Sequence, residues 1–550
     1  MGRPEKSNIR KMNPAAQVLF PISNYGGPTR NIIVASTFKK NINDEEGNLI
    51  LKIGIRYCES CKKETYKWRC NCGKRTIERL YCTRCNIYTN LKICPNCGYT
   101  INNIIHSQKL NIKKLLNKIY FNLNINKPLK VIKGVKELMN KSKTPEPLEK
   151  GILRSIHDIY IFKDGTSRYD MSDLPLTHFK ASEIGITVED LYKLGYKNDI
   201  YSNKISSEDQ IIELFVQDII ISYDCAKYLL KVSNFIDSLL NKYYKVNTYY
   251  NATNIHDLLG SLVIGLAPHT SAGILGRIIG FTESSVCFAH PFFHASKRRN
   301  CDGDEDCIML LLDGLLNFSK EYLPEKIGGK MDAPLVLTTI INPEEIDKEA
   351  HNIDVCSNYP IEFYLLSEQM ISPEMIKDKM DLISFRIKTK NTTQGFMYTH
   401  ETSNISLCPK SSSYKTLETM EEKIKSQLNL AKKIRAVDSD DVAERILKYH
   451  FLPDIIGNLR AFSKQKTRCF KCSKKFRRPP LSGMCPNCGN KIILTVHEGN
   501  VKKYIDITKK IAKEYNISQY LKERINIISE DVESTFDNNI NPQLNLSNYM

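Results

Sequence analysis

Hydrophobic positions along the chain fall mostly in short clusters cut by polar, glycine- and proline-bearing breaks. Gln17-Val18-Leu19-Phe20, Ile32-Ile33-Val34-Ala35 and Ile159-Tyr160-Ile161-Phe162 have the length and β-branching of buried strands. Gly276-Arg277-Ile278-Ile279-Gly280-Phe281 reads as a short strand bounded by glycines, and Leu335-Val336-Leu337-Thr338-Thr339-Ile340-Ile341 as the clearest strand of the chain. Leu310-Leu311-Leu312-Asp313 fits either a helix or a strand. Two stretches carry helical signals. Over about 207–245, Ser207 and Gln210 form a capping-box pattern ahead of an apolar run, whose Tyr223 and Tyr228 suit a core. Over 413–450, Leu417, Met420, Ile424 and Leu428 recur at three- and four-residue intervals among Lys and Glu. Close glycines and β-branched runs over 255–345 predict a compact barrel rather than a helical bundle.

One polar segment breaks this pattern with a change of charge sign. In 290–306, Lys297, Arg298 and Arg299 are followed by Asp302, Asp304, Glu305 and Asp306. Buried, each of these charges would need a partner. At a surface, carboxylates can hold a divalent cation beside a phosphate held by Arg and Lys. Gly303 lets the chain turn so that Asp302 and Asp304 reach one point. A solvated acidic loop is the plainer reading of such a run. His290 and His294 fit satisfied structural histidines better than ligands. A second glycine-bearing turn, Gly328-Gly329-Lys330-Met331-Asp332-Ala333-Pro334, again sets a cation near an anion.

Twelve of the 18 cysteines lie in short pairs. Cys58, Cys61, Cys70, Cys72, Cys82, Cys85, Cys94 and Cys97 supply ligands for two tetrahedral zinc sites, with sequential and interleaved pairing equally compatible with the spacing. Cys469, Cys472, Cys485 and Cys488 supply a third, and Cys485-Pro486-Asn487-Cys488-Gly489 repeats Cys94-Pro95-Asn96-Cys97-Gly98. With all four positions filled, such sites are structural rather than catalytic. Cys225, Cys287, Cys301, Cys307, Cys356 and Cys408 read as buried, inert thiols, and the whole pattern predicts a reducing, cytoplasmic compartment.

Composition narrows the class. At 550 residues, 41% hydrophobic, the chain should hold several domains with real cores. No apolar run is long enough for a membrane span, the N-terminus has no apolar signal region, and Lys6 stands where a myristoylation site needs Ser or Thr. The net charge of +18 points to a polyanionic partner. Lys474, Lys475, Arg477 and Arg478 put some of that charge inside the third cysteine module. The Asn-rich tail after 537 reads as disordered, yet Gln543, Leu546, Tyr549 and Met550 have the spacing of a short helical plug for a partner's pocket.

Gly2-Arg3-Pro4-Glu5-Lys6, Pro268-His269-Thr270-Ser271-Ala272-Gly273, His290-Pro291-Phe292-Phe293-His294, the run from Lys297 to Asp306, 328–334, 438–460 and the final cysteine module together resemble the large, catalytic subunit of archaeal family D DNA polymerase. The resemblance covers nearly the whole chain but only the C-terminal half of that subunit. It therefore implies a split subunit, with a separate N-terminal half, or a shortened one. It implies an α+β multidomain protein with two double-psi β-barrels as catalytic core, helical clamp-like regions and three structural zinc modules. It assigns Asp302 and Asp304, with Asn300 beside them, to a two-magnesium site that adds deoxynucleotides to a primer 3′ end. It places Lys6, Arg10, Lys11, Lys297, Arg298, Arg299 and Lys330 against nucleic acid or phosphate. Partners implied are primer-template DNA, deoxynucleoside triphosphates, a small proofreading subunit and a sliding clamp bound by the tail. The competing reading is a zinc-bearing nucleic-acid-binding subunit without chemistry of its own.

The expected organisation is a first barrel beginning at 1–57, a double zinc module at 58–98, and the rest of that barrel with connections at 99–204. A helical region at 205–254 precedes the second barrel, with the candidate carboxylates, at 255–372. A mixed region at 373–464, a zinc ribbon at 465–492, a helical region at 493–536 and the tail at 537–550 complete it.

Overall fold

The computed structural model describes residues 12 and 14–536, apart from 40–43, 102–104, 141, 299–304, 325–326, 390, 408–415, 470–474 and 487–488. The described residues divide into two compact units, one within Asn8–Lys410 and the other within Ser411–Met550.

The centre of the first unit is a closed ring of six strands. They are β1 (Tyr169–Pro175), β2 (Asp218–Ser222), β3 (Leu262–Leu266), β4 (Ala272–Thr282), β5 (Val286–Ala289) and β6 (Glu305–Leu310). Around the ring the order is β2-β5-β1-β6-β3-β4, and a parallel pairing of β4 with β2 closes it. β1 and β5 are also parallel, whereas the other four pairings are antiparallel. A short strand, β7 (Val336–Thr338), adds to the edge of β4. Alternation along β2 shows how the ring is held. Ile219 and Ile221 join the main core with Leu229 and Phe235, while Ile220 turns to Phe179, Ile184 and Leu191 on the opposite face.

The barrel draws β1 and β2 from upstream of the 255–372 span expected for it. The 207–245 segment is only partly helical for the same reason. Gln210 accepts from the amides of Ser206 and Ser207 in a turn, and the buried run Asp218–Ser222 is a strand. The helix starts only at α1 (Tyr223–Ser238), where Ser222 accepts from the Cys225 amide. Other expected strands are corrected too. Ile32–Ser36 is a helix, because the Asn31 side chain caps it at the Ile33 amide. Gln17 to Phe20 carries no strand or bridge, and Ile159 to Phe162 carries only the isolated bridge of Ile161 with Ala16. Of 335–341, only β7 pairs, and Ile340 is 81% exposed, so β-branching there meets no second neighbour. At β6 the ambiguity resolves as strand to Leu310 and then a helix, α3 (Leu311–Asn317), after α2 (Pro291–Ser296).

The second unit packs α4 (Met420–Lys433), α5 (Ser439–Ile446), α6 (Leu452–Lys464), α7 (Ile505–Glu514) and α8 (Gln519–Phe536) around Ile424, Leu428, Phe451, Ile511 and Ile525. The helical expectation for 413–450 holds over α4 and α5, with a break at 434–438 where Asp438 caps α5. No described helix is long and apolar enough to cross a membrane.

Candidate active site

Helix α2 and strand β6 bracket the charged segment. His290 caps α2, its Nδ1 accepting from the Phe292 amide at 3.1 Å, and Pro291 at the first helical position suits that start. The Phe293 ring then lies over two glycines on neighbouring strands. A Cβ on Gly265 of β3 would come within 2.9 Å of that ring, and one on Gly276 of β4 within 3.1 Å. Side chains at either position would lift α2 off the barrel. Gly265 also leaves room for the Lys297 stem, whose Cδ would stand 3.4 Å from such a Cβ.

Lys297 ends α2 and is fully buried, in an ion pair with Asp306, the second residue of β6. Its ammonium stands 3.2 Å from His294 Nδ1 and 4.6 Å from the Phe293 ring centre. The other nitrogen of His294, Nε2, stands 3.0 Å from the Leu174 carbonyl of β1, to which it donates. That bond leaves Nδ1 as the acceptor for the Lys297 ammonium in a neutral imidazole. Burial and then the Lys297 charge push the His294 pKa well below its usual range, consistent with this tautomer. Burial, with nearby His178, likewise pushes His290 down to about 3. Both histidines are therefore neutral structural groups at physiological pH. Asp306 Oδ1 also accepts from the Cys307 amide at 2.8 Å.

The 268–273 and 328–334 motifs lie at the same end of the barrel. Leu266 pairs with Cys307 in the antiparallel β3–β6 register, so the turn 268–273 begins opposite the start of β6. Asp332 Oδ1 accepts from the His269 amide at 2.6 Å, and its own amide donates to the Thr270 carbonyl at 2.9 Å. These bonds dock the 328–334 turn, which includes Lys330, on that loop. Arg168 holds it from below, donating to the Asp332 carbonyl at 2.8 Å and pairing with Asp164. Arg298 is exposed and adopts a left-handed φ of 57° as the chain leaves α2. Arg299, Asn300, Asp302 and Asp304 lie outside the described residues, as do Lys6, Arg10, Lys11, Gln543, Leu546, Tyr549 and Met550. Spacing alone could not reveal that Lys297 and Asp306, of opposite sign and nine positions apart, pair with each other inside the barrel.

The first eight cysteines form two sequential clusters, Cys58, Cys61, Cys70 and Cys72, then Cys82, Cys85, Cys94 and Cys97, with all sulfurs of a cluster within 4.8 Å. Separations of 3.6 Å for Cys58–Cys72 and 3.7 Å for Cys82–Cys97 match the edge of a tetrahedron with ~2.3 Å zinc–sulfur bonds, about 3.8 Å. Either cluster could hold zinc. The tight Cys70-x-Cys72 turn works because Gly73, at φ 82°, returns its amide to the Cys70 carbonyl at 2.9 Å. In the third module, Gly489 donates to the Cys485 carbonyl at 2.8 Å, the same turn that Gly98 makes onto Cys94 at 2.9 Å. Cys469 and Cys485 are buried there, and Cys472 and Cys488 lie outside the described residues. Of the other thiols, Cys225, Cys287 and Cys307 are buried, Cys356 is partly exposed, and Cys301 and Cys408 are outside the described residues. Burial pushes Cys287 up to about 12, as an inert thiol requires.

Residues 124–423 match the family described as "DNA polymerase II large subunit DP2, catalytic domain", and 1–113 match its central domain. The chain belongs to the DNA polymerase II large subunit family. Large subunits named for that polymerase are 57% identical in Methanosarcina barkeri, 48% in Archaeoglobus fulgidus and 47% in Pyrococcus furiosus. These alignments cover 100%, 100% and 98% of this chain but 48%, 48% and 42% of the relatives. The chain thus spans about half the length of the curated relatives it matches. Within the family frame, the catalytic-domain match contains the closed barrel and the 290–306 segment, and the central-domain match contains both complete cysteine clusters.

Proposed function

We propose that this chain is the catalytic part of a replicative, family D DNA-directed DNA polymerase, corresponding to the C-terminal half of its large subunit. The observation that carries the reading is the catalytic-domain match over 124–423, which includes the carboxylates of the sign-changing segment. Asp302 and Asp304, with Asn300 next to them in the sequence, would hold magnesium, which when bound would supply charge stabilisation for nucleotidyl transfer. The chain's own groups do the positioning. The Lys297–Asp306 pair joins the two ends of the segment that carries the carboxylates, while α2 is seated on Gly265 and Gly276. Exposed Arg298, with Arg299, Lys330, Lys6, Arg10 and Lys11, meets phosphate charge. Lys297 acts from behind as a structural cation.

On this reading the closed six-stranded ring is one of two double-psi barrels, and three zincs, one per cysteine module, brace the fold. Primer-template DNA and deoxynucleoside triphosphates are the substrates. The N-terminal half as a separate chain, a small proofreading subunit and a sliding clamp seated on Gln543, Leu546, Tyr549 and Met550 are the partners. Primer extension by the chain alone, and then with the partner chains, tests the proposal. Little activity is expected alone and processive extension in the assembly. Asp302→Asn with Asp304→Asn should abolish extension while sparing DNA affinity. Extension that survives the double change would refute the catalytic assignment, and a non-catalytic DNA-binding subunit would replace it.

A further inference from the structure

A cavity of about 780 Å³ opens where the first cysteine module meets the body of its unit, away from the 290–306 segment and assigned no role above. Its volume falls in the range of small-ligand sites, roughly 300–1,000 Å³, and gives room for one or two nucleotides. One wall is the hairpin that carries Cys70 and Cys72, contributing Trp68, Arg69 and Arg75. Another wall is the π-helical turn Leu239–Tyr244 that continues α1, with Tyr243 and Tyr244. Trp68 is the single tryptophan of the chain. Its ring is stacked at 4.0 Å on the buried Arg56 guanidinium, which fixes its plane, yet it remains 38% exposed. Tyr244 is 41% exposed.

The charges around these rings are unevenly satisfied. Glu146 is locked in a fully buried pair with Arg154 at 2.8 Å, and Glu149 stands 3.7 Å from Lys67. Arg69 and Arg75 are exposed and have no ion-pair partner among the described residues. Burial pushes the hydroxyls of Tyr243 and Tyr244 up, the Arg69 charge opposes both shifts, and Arg69 lines the same cavity as the two rings. Planar aromatic faces at a fixed orientation, with uncommitted guanidinium groups at their edge, match the two parts of a nucleotide. Bases stack on the rings, and phosphates meet the arginines. Sequence-tolerant stacking of this kind suits a single strand, since a duplex has no free base faces.

We infer that this cavity is a binding site for an unpaired segment of a DNA strand, holding one or two bases between Trp68 and Tyr244 and their phosphates on Arg69 and Arg75. The choice of DNA rests on the polymerase reading; the geometry itself specifies a stacked, anionic ligand. The lone tryptophan makes the site directly observable. Titration of oligo(dT) into the full zinc-loaded chain should quench its tryptophan emission saturably. Arg69→Ala with Arg75→Ala should raise the midpoint at least about tenfold and lower the salt slope by roughly 1.4. Tyr244→Ala should weaken it by about five- to a hundredfold, the range for loss of one stacked base. All three positions are partly or fully exposed, and zinc content and the unliganded emission spectrum verify folding of each variant. Binding of oligo(dT) by anisotropy without any change in emission would overturn the inference. Equal quenching by thymidine triphosphate alone would overturn it in favour of a free-nucleotide site. Loss of quenching on adding the other half of the subunit, with DNA still bound, would assign the cavity to protein. The Asp302→Asn/Asp304→Asn chain should quench normally while failing to extend a primer in the assembly with its partner chains, so the two readings fail separately.

Discussion

With its ammonium between Asp306 and the acceptor nitrogen of His294, Lys297 ties the end of α2 to the start of strand β6. An unpaired carboxylate left in that position would have neither water nor countercharge. Lys297→Met should therefore cost about 3–5 kcal/mol in urea unfolding of the first unit, and Lys297→Met with Asp306→Leu should recover most of it. A single-variant cost under about 1 kcal/mol would show that the pair is not structural. The two histidines of the same cluster set an acid limit. His290 has an ordinary value of 6.5 in the unfolded chain and about 3 when buried, so between these pH values the unfolded state binds the extra proton. Stability must then rise with pH through that window and be lost as acid is added, by about 1.4 kcal/mol per pH unit for each such histidine. His290→Gln, which keeps an acceptor for the Phe292 amide, should flatten the fall measured by thermal unfolding between pH 6.5 and 4.5. An unchanged pH slope would mean that His290 is already protonated in the fold.

Among the elements, the cysteine modules were the most legible from sequence, because four sulfurs at such spacings can satisfy one tetrahedron with little help from the rest of the chain. Even the repeated Cys-Pro-Asn-Cys-Gly turn appears twice with the same glycine-to-cysteine hydrogen bond. Pairing order was not legible, since it depends on where the strand Arg56–Cys58 and the 69–75 hairpin meet. β-Branching misled wherever a local cap or the lack of a neighbour outweighed it, as at Ile32–Ser36 and at Ile340. The reverse error hid β2, whose isoleucines are a barrel strand only because β4 and β5 lie on either side. The 290–306 segment was legible as chemistry but not as packing. Its sign change marked a charged site, while the burial of Lys297 and Asp306 required the barrel to exist first. For the modules themselves, three zinc ions per chain are expected by metal analysis. Cys72→Ser should lower that to two and loosen the hairpin that carries Trp68, seen as a red shift of its emission. A count of two in the parent chain, unchanged by Cys72→Ser, would show that the first cluster does not hold zinc.

At the scale of the whole molecule, the charge of +18 matters less for the fold than for how the chain meets DNA. Exposed cations such as the Arg69–Arg75 pair and Arg298 lie on different elements of the first unit, so binding should draw on several phosphate contacts at once. Each phosphate neutralised releases counterions and steepens the fall of affinity with salt by about 0.9 in logarithmic slope. Four contacts would weaken binding roughly a hundredfold between 50 and 200 mM salt. Because this term is blind to chemistry at the 3′ end, Asp302→Asn with Asp304→Asn should leave the slope unchanged. Arg69→Ala with Arg75→Ala should reduce it for single strands and spare it for duplex, if the cavity takes only unpaired bases. Measured by anisotropy on matched single-stranded and duplex DNA, equal losses on both would place those arginines on a general phosphate track instead. A nearly flat salt dependence on either substrate would contradict the polyanion reading of the charge itself.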